Sequence, residues 1–329
     1  MDWSSVDWQA LEKLRDVFLD RAGPSGGGPY WTSDEQIASY DYTLGRRIAW
    51  KWAAVLEPLC ARGWSASARQ IVDWGCGSGL AARSLLAHAA PGSFDEVLLW
   101  DYSPLATGFA TAAILARHPQ VRVRVADPLD AALPGEFVLV VSHVLNELDQ
   151  PGRDALIALA RKASDVLWVE PGTAADSRTL VGVREVLRNE FNCVAPCPHN
   201  QTCGLLMPDN ARHWCHHFAT PPTEAFTESG WSEFSRRLGI DLRSLPYSYL
   251  VLDRRRETRS TDAVRLIGEP RQSAGVMRLL RCREEGVREI ELQKRSVPGL
   301  WRTLDKRRHA GLFRWDEVSG RITEGEKIP

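Results

Sequence analysis

The segment "RQIVDWGCGSG", residues 69–79, decides the fold prediction. Its apolar start is typical of a short buried strand, and Gly75, Gly77 and Gly79 alternate with other residues before the helix-like stretch "LAARSLLAHAA". Glycines allow a sharp backbone turn and a close approach to a ligand, and the following helix presents its N-terminal amides. The segment therefore predicts a strand, a glycine loop and a helix, with Asp73 near the end of the strand.

The same alternation of short apolar runs and helical stretches continues downstream. "EVLLWDYS", "VRVRVADP", "FVLVVSHVLNEL" and "DVLWVEPGT" read as strands, with helical sequence between most of them. This order predicts an α/β fold, a mostly parallel, doubly wound sheet. Asp101 ends the second strand, 22 residues beyond Gly79, where an acid can accept hydrogen bonds from ribose hydroxyls.

The spacing of the glycines separates two kinds of cofactor. A dinucleotide site carries G-x-G-x-x-G, which cradles a pyrophosphate, whereas this loop reads D-x-G-x-G-x-G and resembles motif I of the class I methyltransferases. In that superfamily an acid after the third strand recognises the adenine amino group. The alternative is the same fold with a degenerate, empty pocket. We expect S-adenosylmethionine to be bound by these residues: Asp73, Gly75, Gly77, Gly79, Asp101, Asp127 and Ser142.

Catalytic residues are not identifiable in the same way. The segment after the fourth strand, "SHVLNELD", lacks the Asp/Asn-Pro-Pro-aromatic sequence of enzymes that methylate base amino groups, and it lacks a cysteine nucleophile. His143, Asn146 and Glu147 either line a methyl pocket or serve as loop and helix-capping residues. The sequence leaves open whether methyl transfer occurs.

The formal net charge of -1 conceals an uneven distribution. The range 231–315 holds 20 Lys and Arg against 11 Asp and Glu, whereas the first 230 residues hold 19 against 27. A basic segment on an acidic body predicts a polyanionic partner such as RNA. The alternative is a solvated, arginine-rich surface.

No apolar run approaches the roughly 18 residues that a membrane span requires, so no membrane partner is expected. The sequence "MDWSSVDWQALEKLRDVFLD" is acidic and amphipathic, unlike a secretory signal or an arginine-rich transit peptide. We therefore predict a cytoplasmic, monomeric protein; a mitochondrial location would require a transit peptide missing from this sequence.

The segment 193–217, "CVAPCPHNQTCGLLMPDNARHWCHH", contains four of the seven cysteines and four of the eight histidines. Cys197, Cys203 and Cys215 read as Cys-x5-Cys-x11-Cys, without the paired C-x2-C of common zinc ribbons. The fourth ligand of a metal site would be Cys193, a local histidine or the distant Cys282. Four thiolates can hold zinc or a 4Fe–4S cluster, and spacing does not distinguish them. The alternative is a set of buried free thiols.

Four consecutive segments are predicted: an N-terminal helical segment (1–65), an adenosylmethionine-binding domain (66–190), a Cys-rich metal-binding segment (191–240) and a basic C-terminal antiparallel β unit (241–329). Ser33 and Gln36 have the spacing of a capping box at a helix start. In the last segment two strand-like runs flank Glu-Glu-Gly, which predicts a hairpin.

Several of these motifs occur together in one order: "CGSG", "SHVLNEL", "VEPGT", "APCPH", then Cys203, "HWCHHF" and Cys282. In this combination, from roughly residue 35 to 300, the chain resembles the mitoribosomal small-subunit methyltransferase-like family, which includes bacterial homologues. The "APCPH…C…WCH" pattern downstream of "EPGT" is the specific part of the resemblance.

The resemblance implies a class I methyltransferase fold that binds adenosylmethionine and a 4Fe–4S cluster. Mitochondrial members of the family assist assembly of the small ribosomal subunit by contacting its rRNA. Carried over to this sequence, the cluster ligands would be Cys197, Cys203, Cys215 and Cys282, with Cys193 and the histidines around them. Neither the bacterial target nor catalytic activity follows from the resemblance.

Overall fold

The computed structural model describes residues 2–19, 31–129, 133, 135–255, 262–305 and 311–328. The chain divides into two compact units. The first unit comprises Met1–Val169 with Ala219–Leu245, and the second comprises Glu170–Phe218 with Pro246–Pro329. The predicted division into four consecutive segments remains a prediction about domain organisation.

The first unit begins with three helices: α1 (Trp8–Leu19), α2 (Asp34–Tyr40) and α3 (Arg46–Ala61). A π-helical turn, Asp41–Gly45, joins α2 to α3. Ser33 is the predicted N-cap, because its side chain accepts a hydrogen bond from the Gln36 amide. The Gln36 side chain accepts instead from the Thr32 amide at 2.8 Å, so the reciprocal bond to Ser33 is not formed.

The sheet of the first unit has five parallel strands: β1 (Gln70–Trp74), β2 (Glu96–Trp100), β3 (Arg122–Val125), β4 (Val138–Ser142) and β5 (Asp165–Pro171). Their spatial order is β3-β2-β1-β4-β5. Three helices follow strands in this unit: α4 (Leu80–His88), α5 (Pro104–Leu115) and α6 (Gln150–Ala160). This doubly wound order confirms the predicted Rossmann-like fold of class I methyltransferases.

The central strands are apolar along their whole length because parallel sheets are covered on both faces. In β4 the side chains of Val138, Leu139, Val140 and Val141 are all 0% exposed. Polar residues occur where the strands end, and the carboxyl ends of parallel strands meet at one edge. That edge is where ligands bind in open α/β sheets.

Two further helices complete the first unit: α8 (Glu224–Thr227) and α9 (Ser229–Leu238). Trp231 and Phe234 of α9 are fully buried and pack with Val6 and Leu11 in one apolar cluster. Across the described ranges, no helix combines the length and the apolar character needed to cross a bilayer.

The second unit contains α7 (Ala174–Leu187), β6 (Asn192–Ala195), β7 (His217–Phe218) and β8 (Pro246–Asp253). β8 pairs antiparallel with both β6 and β7. The run "YSYLVLDRR" is therefore a strand, as predicted, but β6 and β7, with which it pairs, lie in the cysteine segment and not in the C-terminal β unit.

The remaining elements form a closed barrel: β9 (Ala263–Ser273), β10 (Val276–Arg283), β11 (Gly286–Gln293), α10 (Pro298–Asp305), β12 (Leu312–Val318) and β13 (Arg321–Ile328). The predicted hairpin is β10–β11. The strand order around the barrel is β10-β11-β13-β12-β9. Along the chain, α10 lies between β11 and β12. This is the topology of an OB-fold.

One pairing corrects the prediction of a wholly antiparallel unit. β11 and β13 run parallel, because the chain between them passes through α10 and β12 and is long enough for a crossover. The interior is filled by Trp301, Phe313 and Trp315 with apolar side chains from the other four strands.

Candidate functional site

The glycine loop between β1 and α4 has left-handed backbone at each of its three glycines. The φ angles of Gly75, Gly77 and Gly79 are 67°, 51° and 73°. A Cβ at Gly75 would lie 2.8 Å from a Val144 methyl, and one at Gly79 would lie 2.8 Å from the Ala110 Cβ. At Gly77 a Cβ would meet nothing within 4 Å. Gly75 and Gly79 thus permit close packing, and Gly77 faces open space.

Asp73 lies beside this loop and is 1% exposed. Its Oδ2 accepts a hydrogen bond from the Ala82 amide of α4 at 3.1 Å. Its Oδ1 is buried and has no hydrogen-bond partner. Burial raises the pKa of the Asp73 carboxyl to about 8. An unpartnered buried acceptor next to open space is the feature expected where a polar ligand binds.

Asp101 connects the loop to the next helix. Its Oδ2 accepts from the Gly77 amide at 2.9 Å, and its Oδ1 accepts from the Ser103 amide at 2.9 Å. Ser103 is the N-cap of α5. Burial raises the pKa of Asp101 above its ordinary value. Next to it the Tyr102 side chain is 61% exposed, beside the edge of the Trp100 ring.

The other two predicted cofactor residues also follow parallel strands. Asp127 comes two residues after β3, and its carboxylate accepts from the Leu129 amide at 2.8 Å. Ser142 ends β4, and its hydroxyl accepts from the Trp52 indole N–H at 3.0 Å. Because β1, β2, β3 and β4 are parallel neighbours, the predicted cofactor residues all lie at the carboxyl edge of one sheet.

His143, directly after β4, has unusual backbone for a residue with a side chain, with φ 59°. Its amide donates to the Val169 carbonyl at 2.9 Å, while its Nε2 is buried without a hydrogen-bond partner. Burial, followed by the nearby Lys51, lowers the pKa of His143 well below its ordinary value, which keeps the ring neutral. Non-glycine residues held in this conformation concentrate at functional sites.

The N-terminal helices contribute residues that the sequence did not single out. The Asp41 carboxylate accepts from the Ser78 hydroxyl of the glycine loop at 2.7 Å and also contacts Arg83. Burial raises the pKa of Tyr40, with Glu147 and Asp41 adding to the effect. The position of Asp41 at the π-helical turn marks it as a candidate functional residue, because such turns occur frequently at functional sites.

In the second unit the structure brings the four predicted thiol ligands together. None of the seven cysteines, all of them in the described ranges, is in a disulfide bond. Cys203 and Cys282 are buried in one apolar cluster, with Cys215 packed against it. The Cys215 thiol interacts electrostatically with the thiols of Cys197, Cys203 and Cys282. Cys282 lies three residues after Leu279 on β10 and so faces the opposite side of the strand, away from the barrel core that contains Leu279.

Three of the four predicted thiol ligands, Cys203, Cys215 and Cys282, have a pKa above the ordinary value and are neutral at pH 7. Burial, followed by the neighbouring thiols, raises the pKa of Cys215 well above its ordinary value and also raises that of Cys282. Burial raises the pKa of Cys203 to about 11. A hydrogen bond with the Cys193 thiol, which is 1% exposed, lowers the pKa of Cys197. Four buried thiolates would repel one another unless a cation were bound among them.

Two histidines lie against the predicted ligands. His199 Nε2 is 3.5 Å from the Cys282 sulfur, and His217 Nε2 is 3.8 Å from the Cys215 sulfur. His216 contacts the Trp214 carbonyl instead. In the described part of the chain, no three His, Cys, Asp or Glu side chains are arranged so that they could hold a metal ion.

Two buried arginines flank the thiols, and the sequence analysis missed both. Arg184 is 2% exposed and donates through NH2 to the carbonyls of His199 (3.0 Å) and Gln201 (2.9 Å). Its Nε has no hydrogen-bond partner. Although burial disfavours its charge, the thiols of Cys197, Cys193 and Cys203 and the Glu185 carboxylate raise the pKa of Arg184.

Arg265, on β9, is 6% exposed and donates to the carbonyls of Pro196 (2.9 Å) and Gly311 (2.8 Å). Among the residues that the structure describes, Arg265 forms no ion pair with a carboxylate. A buried guanidinium without a carboxylate requires another source of negative charge. The signal was available in the sequence: each arginine interrupts an apolar run, "LVGVREVL" for Arg184 and "AVRLIG" for Arg265.

Comparison with protein families and solved structures gives three findings. Residues 67–309 match the sequence model of the family described as mitochondrial small ribosomal subunit Rsm22. Magnesium protoporphyrin IX methyltransferase from Synechocystis is 15% identical, over 75% of this chain and 98% of that one, with a TM-score of 0.37. The N-methyltransferase NodS from Bradyrhizobium japonicum is 14% identical, over 74% and 97% of the two chains, with a TM-score of 0.38.

Comparison with individually curated proteins gives no match. The family match includes the glycine loop, all four predicted thiol ligands and three of the five barrel strands, β9, β10 and β11, and it spans well over half of the chain. This chain belongs to the Rsm22 family of methyltransferase-like small-ribosomal-subunit proteins.

Proposed function

We propose that this protein binds S-adenosylmethionine at the glycine loop and a 4Fe–4S cluster at the four thiols, and that it acts in assembly of the small ribosomal subunit, or in translation, by binding rRNA. The observation that carries the proposal is the family match over residues 67–309, which includes both sites. The proposed setting is the cytoplasm, and the proposed form is a monomer.

The first unit supports adenosylmethionine through its donor and acceptor groups. Asp101 would accept from the ribose hydroxyls, Asp127 from the adenine amino group, and the unpartnered Oδ1 of Asp73 from a polar group of the ligand. The open space at Gly77 is where a side chain would obstruct the ligand. When bound, the cofactor supplies an electrophilic methyl group on a sulfonium.

The second unit supports a cluster through its charge and its donor set. Cys197, Cys203, Cys215 and Cys282 supply four sulfur ligands, the number that an iron–sulfur cubane takes. Arg184 and Arg265 supply buried positive charge against the negative charge of the thiolates. Zinc is the alternative occupant, because four thiolates also suit a structural zinc site. Either group would join the cysteine segment to β10 of the barrel.

Metal analysis of anaerobically purified protein decides between the two occupants. We expect about four iron and four sulfide per chain with the broad visible absorption of iron–sulfur thiolate sites. Stoichiometric zinc with no visible absorption would show that the site holds zinc and not the cluster.

The family description and the OB topology of the barrel both support the role with rRNA. OB barrels bind oligonucleotides on one face. Sedimentation of cell extracts tests this role. We expect the protein to migrate with small subunits or their precursors and to leave those fractions after ribonuclease treatment. Migration at the top of the gradient in growing cells, with unchanged subunit levels on depletion of the protein, would contradict it.

Methyl transfer to rRNA or another substrate is the second candidate function, and His143 is the observation that favours it. A neutral imidazole with an unpartnered, buried Nε2 lies at the carboxyl end of β4, at the edge where the cofactor is proposed to bind. Asp101→Ala removes the proposed ribose acceptor and tests whether the cofactor matters. If that variant has lost cofactor binding and still restores growth to a depleted strain, catalysis is not the required function.

A further inference from the structure

The OB barrel has a face on which such folds bind oligonucleotides, formed by their second and third strands, here β10 and β11. In this protein the outward positions of that face differ between its two ends. Cys282 and Val287 are cross-strand partners at one end, and Arg278 and Glu291 are partners toward the other. The two ends therefore have different chemistry.

The first end is covered by the chain itself. Cys282, Val287 and Leu280 pack against Cys203 and Leu205 of the cysteine segment in one apolar cluster. A Cβ at Gly204 would lie 2.5 Å from the Val287 amide nitrogen, so the two backbones touch. This part of the face is buried and is therefore closed to an oligonucleotide.

The second end carries a row of arginines that crosses four strands. Arg271 on β9 is the cross-strand partner of Arg278 on β10, Arg278 is the partner of Glu291 on β11, and Glu291 is the partner of Arg321 on β13. Neighbouring strands are about 4.8 Å apart, so the row is about 14 Å long. The row thus contains three guanidinium groups and one carboxylate.

Surface ion pairs hold these guanidinium groups. The side chains of Arg271, Arg278 and Arg321 are 67%, 58% and 62% exposed. Arg278 and Arg321 both pair with Glu291, at 3.5 and 3.7 Å. Exposed ion pairs of this kind contribute about 0–1 kcal/mol, so the arginines can exchange a carboxylate for a phosphate at little cost.

Further cations extend the row. Lys294 follows β11 and is fixed there by a hydrogen bond from its amide to the Gly275 carbonyl at 3.0 Å; its side chain and that of Arg295 are exposed. In the cysteine segment, Arg212 is exposed, and both it and Arg271 act on the charge of His213. The six cations outnumber the two carboxylates that pair with the row, Glu289 and Glu291.

We propose that this basic row, Arg271, Arg278 and Arg321 with Arg212, Lys294 and Arg295 beside it, binds the sugar–phosphate backbone of single-stranded RNA. The inference rests on the proposed rRNA function and locates it on one half of one barrel face. The described aromatic side chains of the barrel strands, Phe313 and Trp315, lie in its core. The described barrel strands therefore offer no aromatic side chain for base stacking, and we expect the row to recognise charge and not sequence.

The test is a salt titration with a labelled single-stranded RNA and the variant Arg271→Gln/Arg278→Gln/Arg321→Gln of the full chain. Each phosphate contact to a single strand contributes about 0.7 to the slope of log K against log salt. Loss of three contacts lowers the slope by about 2 and weakens binding about 100-fold at 0.1 M salt. Glutamine keeps part of the aliphatic stem, and a thermal melt reports whether the barrel folds.

The matched control is Arg302→Gln/Arg314→Gln/Lys327→Gln, which removes the same charge from α10, β12 and β13. We expect its slope and affinity to stay near those of the unaltered protein. Equal losses in both variants would show a bulk charge effect and overturn the proposed row. Undiminished binding in the first variant would overturn the row alone and leave the rRNA function standing.

Failure of the unaltered protein to bind RNA would overturn both proposals. Vesicles of anionic and neutral phospholipid provide the comparison with another polyanion. Binding to the anionic vesicles with no binding to RNA would assign the row to a membrane surface and refute the inference.

Discussion

Replacement of Gly77 by alanine tests the glycine loop as a cofactor cradle. Gly77 has φ 51° and open space around its missing Cβ. Left-handed backbone costs a non-glycine residue about 1–2 kcal/mol, and no clash adds to that cost. We therefore expect Gly77→Ala to fold with about that loss in its free energy of unfolding.

Adenosylmethionine binding should weaken in addition to this loss of stability. The new methyl group would stand in the open space assigned to the ligand, and overpacking of one or two methyl-sized groups costs about 1–3 kcal/mol. This corresponds to roughly a 5- to 150-fold rise in the dissociation constant. The Gly77 amide, which donates to Asp101 at 2.9 Å, would also be displaced.

Gly63 provides the matched control. It has φ 75° and nothing within 4 Å of its missing Cβ, but it lies just after α3 and outside the loop. Gly63→Ala should lose similar stability and bind the cofactor normally. Calorimetric titration with adenosylmethionine and a denaturant melt measure both quantities. Equal affinities in the Gly77 and Gly63 variants would refute the cradle, whatever their stabilities.

Three further predictions concern single side chains. Cys282→Ser should yield colourless, less soluble protein because the fourth thiolate is lost. Cys60→Ser, at an exposed free cysteine, should stay coloured. Brown, fully soluble Cys282→Ser protein would exclude Cys282 as a ligand. Arg265→Met should release its metal to a chelator roughly 10- to 100-fold more readily, unlike Arg302→Met at an exposed position of α10. Unchanged retention in Arg265→Met would contradict the counter-charge role. Burial places the pKa of Asp73 near 8, above the unfolded value of 3.8. The free energy of unfolding should therefore fall by about 1.4 kcal/mol per pH unit between those two values and level off at higher pH. Asp73→Asn should lack that slope in denaturant melts, and parallel curves for the two proteins would show that Asp73 does not titrate this way.

Local patterns predicted the parts of the structure that local physics determines. The strand, loop and helix around Gly75, Gly77 and Gly79 follow from glycine conformation and apolar periodicity, and Asp101 follows from the strand before it. The hairpin β10–β11 follows from a turn between two apolar runs. These features involve residues that are close in sequence.

Non-local pairing was outside the reach of those patterns. The partners of β8 in the cysteine segment and the parallel pair β11–β13 depend on which strands meet after long connections. The roles of Arg184 and Arg265 depend on their burial near the thiols, since an arginine in an apolar run can equally extend to solvent. The left-handed backbone of His143 carries no local signal, because histidine usually adopts other conformations.

The thiol site was predicted by resemblance more than by spacing. Cys-x5-Cys-x11-Cys fits no common knuckle, and Cys282 lies 67 residues beyond Cys215. The structure shows why the spacing is irregular: Cys282 comes from a barrel strand, and Cys203 and Cys215 pack against it from a separate segment. The set of four as ligands remains a prediction for metal analysis.

Crosslinking of the protein to RNA in growing cells, with mapping of the crosslinked nucleotides, tests the central claim most directly. We expect the crosslinks to fall on small-subunit rRNA, at a limited set of positions, and to diminish when Arg271, Arg278 and Arg321 are replaced by glutamine. Crosslinks spread over large-subunit rRNA, transfer RNA and messenger RNA in proportion to their abundance, or no crosslinks above those of an unrelated protein, would contradict a role in the small subunit.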